Sequence, residues 1–553
     1  MFIEPVTGKD FFGREDVLAT LHKRMNAMKG GYRQNLALAG PMLSGKSSIL
    51  RHFLKSVNEP DFITLYVELS GESFDIFCMR FITTLLYQYF RSTGEKIFNE
   101  HHSREQYTFG VLREYCAEKI PKTVRAVDTA VKHIEHKKYD FAYEIILDIP
   151  AILKSETGKN TIVIFDEFHN LANFKLKKPF HTFGKFIMLQ KNTMYIVSSS
   201  QKTLLKDILS QKLSLLFGNF EVVDVEGFDN KTALSFLSDK ADGAIVSDKI
   251  KKYVIQLTRG NPFYLNAIFK KIFSLSRSSD DVRKTDEKEW LLAALAELLY
   301  ESGGILNQYF TNNINFFLEK GARKKFIPMI IALSESDGKM KNIASHGARM
   351  GAEEGELLRN LQYMDLVYKN GIFYKIEDKL FEFWIKNVYS VKTRSEIDDT
   401  DIKYFEFKKR VEDEYNNFCV ITSQPIINII TDLFKSFNGE KISLGMNERK
   451  LPCFESVNIE KPFHGMFKIQ AKSGSNVWVC FVKQDDFFNE DDAHNIIALK
   501  NEGEFKISKK IIVPLKGIEN NAFLMAKDNN LWIFDVPQLN EILRLFGKYE
   551  IVI

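Results

Sequence analysis

Gly40-Pro41-Met42-Leu43-Ser44-Gly45-Lys46-Ser47 is the stretch whose reading decides the fold of this chain. It fits the pattern GxxxxGK[ST] at every fixed position. It follows RQNLALAG (33–40), which reads as a short buried strand. It leads into SSILRHFLKSV, where Ile49, Leu50, Phe53, Leu54 and Val57 recur at helical spacing. A glycine-rich turn between strand and helix lets successive backbone N–H groups curl around phosphate oxygens, and the helix N-terminus adds its positive dipole end. The pattern therefore predicts an ATP site built from Gly40, Pro41, Ser44, Gly45, Lys46, Ser47 and Ser48. Lys46 is expected at the β- and γ-phosphates, and the Ser47 hydroxyl on Mg²⁺.

A second apolar run, Thr161–Phe165 (TIVIF), ends in Asp166-Glu167. An acid at the C-terminal end of a parallel strand faces the nucleotide crevice. Asp166 is expected to hold Mg²⁺ through water, and Glu167 to polarise the attacking water. Ser198-Ser199-Ser200 follows the apolar MYIV. Of these, Ser199 is the preferred contact for the γ-phosphate or the lytic water, the other reading being strand-end capping. The expected catalytic set is Lys46, Glu167 and Ser199.

Outward from these motifs, strands at 33–40, 63–70, 161–168, 192–201 and 220–228 alternate with helical patterns. That alternation predicts an α/β core over 1–228 with a parallel, doubly wound sheet. Residues 229–320 read as a helical lid. Residues 321–392 read as three helices and the hairpin VYKNGIFYKI (367–376), centred on Asn370-Gly371, which together make a winged helix. Residues 400–553 read as α+β, with clear strands at NVWVCFVK (476–483) and KKIIVPLK (509–516). Four domains in 553 residues agree with ~100–200 residues per domain.

The 76 basic and 72 acidic residues leave a charge of +4, so nucleic-acid binding has no global signature and is confined to local patches. Five scattered cysteines form no CxxC pair, which argues against a zinc knuckle and suits a reducing cytoplasm. No basic-then-apolar leader is visible at the start. No run of ~18 apolar residues is present to place the chain in a membrane. The 47 phenylalanines sit at amphipathic spacings and read as core.

Phe12-Gly13-Arg14-Glu15, GPMLSGKSSIL, IVIFDEFHNL, YIVSSSQ and Arg259-Gly260-Asn261-Pro262-Phe263 occur in that order. The set resembles the archaeal-type ATPases of the STAND, AAA-like class, relatives of the origin-recognition and Cdc6-like initiators. The likeness covers about 1–390, and IEDKLFEFWIKNVY (376–389) is similar to the segment after the wing in that family. It implies that Phe12, Gly13 and Arg14 lie near the base, and that Pro262 packs near the base or ribose. No arginine occurs between 200 and 228, only Lys202, Lys206 and Lys212. An arginine finger after the sensor strand is therefore missing, which favours slow hydrolysis or a switch timer over a motor.

The winged helix offers Lys339, Lys341, Arg349, Arg359 and Lys369 to double-stranded DNA, while Glu353, Glu354 and Glu356 would repel phosphate. The last domain resembles the PD-(D/E)xK nuclease-like domain fused to such ATPases. Lys483 stands where the family's lysine would, but Phe481 replaces the acid two residues earlier. Glu412 or Glu414 would supply the early acid, and 465–471 offers no aspartate. An inactive nuclease fold is expected, and Asp485-Asp486 and Asp491-Asp492 read as solvated acidic loops.

The expectation is a cytoplasmic ATP-hydrolysing switch with ATP and Mg²⁺ as cofactors. Nucleotide state would control homo-oligomer assembly, or engagement of DNA or a partner protein, with no membrane partner. The alternatives are an initiator-like DNA loader, an ATP-gated nuclease and a scaffold that keeps ATP bound.

Overall fold

The structure is a computed structural model. It describes residues 4–552 except 58, 95–106, 214–217, 241–245, 279–286, 321–322, 346–351, 395–399, 446 and 500–505. The chain forms two compact units. The first comprises Met1–Phe228 with the short segments Asn261–Phe263 and Tyr363–Asp365. The second comprises the remainder.

In the first unit, five parallel strands form one sheet: β1 (Asn35–Ala39), β2 (Phe62–Glu68), β3 (Asn160–Asp166), β4 (Thr193–Ser199) and β5 (Phe220–Asp224). Their order is β2-β3-β4-β1-β5. This order sets the end of β1 beside the end of β4, with Ala39 opposite Ser199. It sets Glu68 opposite Asp166. Side chains alternate across each strand. Ile162 and Ile164 of β3 join a core with Leu36, Leu38, Ile49 and Phe53. Val163 and Phe165 join a core on the other face with Phe77, Phe81, Phe168 and Phe183. Both faces are covered, which is why β3 reads as an unbroken apolar run.

Much of the phenylalanine excess is spent in that second core. The Phe165 ring packs within 6.2 Å of the Phe77, Phe81 and Phe183 centroids. Truncating such a ring to alanine costs ~3–5 kcal/mol.

The second unit begins with helices Asn230–Lys240 and Asp248–Thr258, and further helices follow among the described residues up to Glu335. Helices Arg323–Glu335, Met340–Ser345 and Ala352–Tyr363 then precede a hairpin of β6 (Val367–Asn370) and β7 (Phe373–Ile376). The turn is displaced by one residue from the expected Asn370-Gly371. Asn370 pairs with Phe373 as the last residue of β6, and Gly371 and Ile372 make the turn. Gly371 has φ +58°, and a Cβ there would fall 1.7 Å from the Lys441 carbonyl oxygen. Only glycine fits.

Helix Thr400–Thr422 packs through Tyr415 and Phe418 on Tyr253 of helix Asp248–Thr258. After helix Ile426–Lys435 come a small ribbon, β8 (Lys441–Leu444) and β9 (Asn447–Lys450), and a five-stranded sheet. That sheet contains β10 (Ser456–Phe463), β11 (Met466–Ser473), β12 (Asn476–Lys483), β13 (Lys506–Pro514) and β14 (Trp532–Ile533), adjacent in that order. β10, β11 and β12 pair antiparallel, and β12, β13 and β14 pair parallel. Seven strands stand where two were clear in the sequence. β10 is a largely exposed edge strand carrying Glu460, Lys461 and Pro462, residues that blunt a sheet edge and erase the apolar signal.

Candidate nucleotide site

The loop Gly40–Gly45 joins β1 to helix Lys46–Ser56. Its backbone turns through left-handed conformations at Leu43 (φ 63°) and Gly45 (φ 97°). Gly40 has no room for a side chain, since a Cβ would sit 2.2 Å from the Val225 carbonyl oxygen. The Lys46 side chain is buried and folds back over its own loop, donating to the carbonyls of Gly40 (2.9 Å) and Pro41 (2.8 Å). Burial lowers its pKa, and the nearby Glu167 and Asp166 carboxylates pull it back up.

The strand order brings β3 to this loop. Asp166, 1% exposed, accepts hydrogen bonds from Ser47 Oγ at 2.6 Å and Tyr66 Oη at 2.5 Å, both on Oδ2. Its Oδ1 accepts from Ser198 Oγ and from the Glu167 N–H at 3.0 Å. Tyr66 lies under Arg51 of the loop helix, whose guanidinium carbon is 4.5 Å from the ring centroid. Burial and then the Asp166 charge raise the Tyr66 pKa, so its hydroxyl stays protonated and donates.

Glu167 adopts φ 52°, strained for a residue with a side chain. Its Oε2 accepts from the Ser200 N–H (3.0 Å) and Ser200 Oγ (2.8 Å). His169 Nδ1 lies 3.4 Å away. Burial raises the Glu167 pKa, opposed by Lys46.

The three serines divide by strand alternation. Ser198 meets Asp166, and Ser200 meets Glu167. Ser199 Oγ is 2.9 Å from His169 Nδ1 and donates to the Gln201 carbonyl at 3.1 Å. The preferred serine thus holds the histidine, and its neighbours hold the acids.

Arg14 braces the loop. Its Nη2 donates to the carbonyls of Ser44 (3.0 Å) and Glu226 (2.5 Å), and its guanidinium carbon lies 4.8 Å from the Phe228 ring centroid. Phe12 meets the same Phe228 ring edge-on at 6.2 Å, and Gly13 takes φ 66°. Ser48 Oγ accepts from the Val6 N–H at 3.0 Å. Pro262 sits close to the loop, its Cγ 3.9 Å from where a Gly45 Cβ would be.

A glycine-bounded loop between β1 and its helix, with the acids of the neighbouring-but-one strand beneath it, is decisive together with the strand order. The fold is that of a P-loop NTPase. No family model matches the chain, and no curated protein matches it. Similar solved structures include a Walker-type ATPase of Pyrococcus abyssi, at 17% identity and TM-score 0.48, covering 69% of this chain and 99% of that one. The Aeropyrum pernix ORC2 protein, in ADPNP–ADP complexes, shares 11% identity at TM-score 0.42, covering 71% and 98%. Domain III of the Thermotoga maritima replication initiation protein DnaA shares 14% at TM-score 0.29, covering 52% and 94%.

The sites expected in the second unit are placed differently. Phe481 is fully buried in an apolar core, and Lys483 Nζ pairs with Asp492 at 3.2 Å. Glu412 pairs with Lys288 at 2.7 Å. Among the described residues no cluster of three metal-ligating side chains exists. Of the cations expected at DNA, Lys339 pairs with the buried Glu440 at 2.7 Å, while Lys341, Arg359 and Lys369 are exposed. Arg349 lies outside the described residues. Among the described residues no helix is long and apolar enough to cross a membrane.

Tyr66, Ser198, Ser200 and His169 were not singled out by sequence. Tyr66 sits within an ordinary strand pattern, and only the pairing of β2 with β3 reveals it.

Proposed function

We propose that the first unit binds ATP at Gly40–Ser47 and hydrolyses it slowly, as an AAA-like switch of the STAND kind. The carrying observation is the Ser47 hydroxyl held 2.6 Å from the Asp166 carboxylate directly below the loop. A hydroxyl and a carboxylate are the hard oxygen donors that Mg²⁺ takes. Ser47 and Asp166 fit that cation, which when bound neutralises phosphate charge. Lys46 leaves its own loop carbonyls for the β- and γ-phosphates. Phe12, Gly13 and Pro262 form the base side, and Arg14 holds the loop in shape rather than touching the base. Glu167 orients the attacking water, Ser198 and Ser200 hold the acids at the strand end, and Ser199 acts through His169 rather than on the γ-phosphate.

Slow turnover is supported by the hold on Glu167. Two donors from Ser200 hold one of its two carboxylate oxygens, which restrains the side chain that has to orient water. The three helices and hairpin of 323–376 are read as a winged helix. Its tip is engaged by β8, which supports a packing role over a DNA-reading wing. The sheet of β10–β14 is read as a nuclease-like module without chemistry, because Phe481 puts an apolar ring where an acid is needed and Lys483 is paired with Asp492. Engagement of duplex DNA is left to the exposed Lys341 and Arg359, outside the hairpin. The test is phosphate release from ATP by the full chain with and without Glu167→Gln. Turnover unchanged in the variant refutes the hydrolase.

A further inference from the structure

The second unit contains a cavity of about 980 Å³. Its walls come from helix Asp248–Thr258, residues 334–337, Lys375 of β7, the helical segment 379–390, helix Thr400–Thr422, helix Ile426–Lys435 and residues 544–549. This volume is at the upper end of small-ligand sites, which run to roughly 300–1,000 Å³.

The charges on its walls do not cancel. Six acids face it, and four are answered. Glu382 pairs with Lys379 at 2.8 Å, inside the wall. Glu335, Asp337 and Asp432 pair with Arg394 (2.9 Å), Lys339 (3.8 Å) and Lys435 (3.1 Å), all from outside it. Arg544 and Arg259 both reach the outlying Glu550, at 3.1 and 4.0 Å. Lys375, Lys386, Arg410 and Lys548 have no ion pair or side-chain hydrogen bond among the described residues. Glu382 and Asp337 attract Lys375, and Asp432 attracts Lys548, without an ion pair to them; of the two remaining acids, Asp413 and Glu414, burial raises the Glu414 pKa toward the neutral form.

Lys375 is the telling member. It is 8% exposed, and its stem lies over Gly338, where a Cβ would meet its Cδ and Cε at 3.1 Å. Burial presses its pKa down to about 8, so the pocket holds an ammonium at a cost. A protein keeps a buried charge paired or hydrogen-bonded. Tyr253 and Asn387, in the same wall, bury a hydroxyl and an amide nitrogen with no hydrogen-bond partner.

We propose that this cavity binds a small phosphorylated molecule whose phosphate groups are met by Lys375, Lys386, Arg410 and Lys548. Four cations from separate segments suit a ligand with two or more negative charges. The site is distinct from Gly40–Ser47 and stands whether or not that loop binds ATP. A ligand met by these four cations touches four segments at once and stabilises the unit by mass action.

The test is calorimetric titration of the full-length Lys46→Ala protein with inorganic pyrophosphate, with ADP and with a short DNA duplex. The wild type saturated with a non-hydrolysable ATP analogue serves as a second background. Saturable one-to-one binding of pyrophosphate or ADP is expected, weakened at least ~10-fold by Lys375→Met and by Lys386→Ala, each the loss of one charge-assisted contact. Pyrophosphate binding shows that phosphate alone suffices, and ADP binding without it shows that the nucleoside is also read. Lys386→Ala and Lys548→Ala carry the test if Lys375→Met does not fold. The proposal is overturned if neither phosphate compound binds, if the variants leave affinity within ~2-fold, or if only the duplex binds.

Discussion

The Asn370 side chain pairs with both backbone groups of Ser443, accepting from its N–H at 2.6 Å and donating to its carbonyl at 2.8 Å. It thus closes the hairpin tip onto β8 as another strand residue would, and its amide also donates to Glu541 at 2.6 Å. Asn370→Ala leaves these half-buried partners unmet and is expected to cost ~2–3 kcal/mol, each unmet group carrying ~1–3. Thermal unfolding checks it. If the hairpin is a packing element, Lys369→Glu in the same hairpin leaves DNA affinity unchanged. A loss of salt-sensitive DNA binding in Lys369→Glu contradicts the packing role.

Tyr66→Phe removes one of four donors to Asp166 and nothing from the phosphate loop. Turnover is expected to fall ~10-fold while ATP affinity stays within ~2-fold, because one misplaced hydrogen bond of ~1.4 kcal/mol acts on positioning. A parallel loss of ATP affinity would make Tyr66 merely structural.

Glu167→Gln keeps the shape of the site and removes the group that orients water. Turnover is expected to drop ~10²–10⁴-fold with binding retained. Ser200→Ala, which lifts one of two holds on Glu167, is expected to raise single-turnover hydrolysis, measured by quench-flow. A fall of the same size as Glu167→Gln shows instead that Ser200 positions the carboxylate for chemistry.

Lys375 gives a pH signature. Its folded pKa is about 8 against an ordinary 10.5. Between those values the unfolded chain binds the proton more, so stability rises with pH; below pH 8 the full penalty is present. Lys375→Met is therefore expected to be more stable than wild type at pH 7, by up to about 3 kcal/mol. That advantage is expected to shrink toward pH 9.5. Calorimetric melting at both pH values checks the sign, and a variant less stable than wild type at pH 7 refutes it.

The sequence showed what is written locally. β1, β3 and β4 are contiguous apolar runs because both faces of the sheet are buried, and Gly40–Ser47 and Asp166-Glu167 are short motifs at strand ends. It did not show what depends on strand order. Tyr66 meets Asp166 because β2 lies beside β3, a hundred residues away. Ser198, Ser199 and Ser200 are equivalent on paper, and only the pleat sends two to the acids and one to His169. The hairpin at 367–376 was legible, but its turn shifted by one residue because Asn370 answers β8 rather than its own turn.

The central claim is an ATP site at Gly40–Ser47, and calorimetric titration of the full chain with ATP and Mg²⁺ tests it most directly. Wild type is expected to bind one ATP per chain at this loop. Lys46→Ala is expected to lose about 100-fold in affinity, the worth of a charge-assisted contact near 3 kcal/mol. Wild type that binds no ATP, or Lys46→Ala binding as tightly as wild type, would contradict the account.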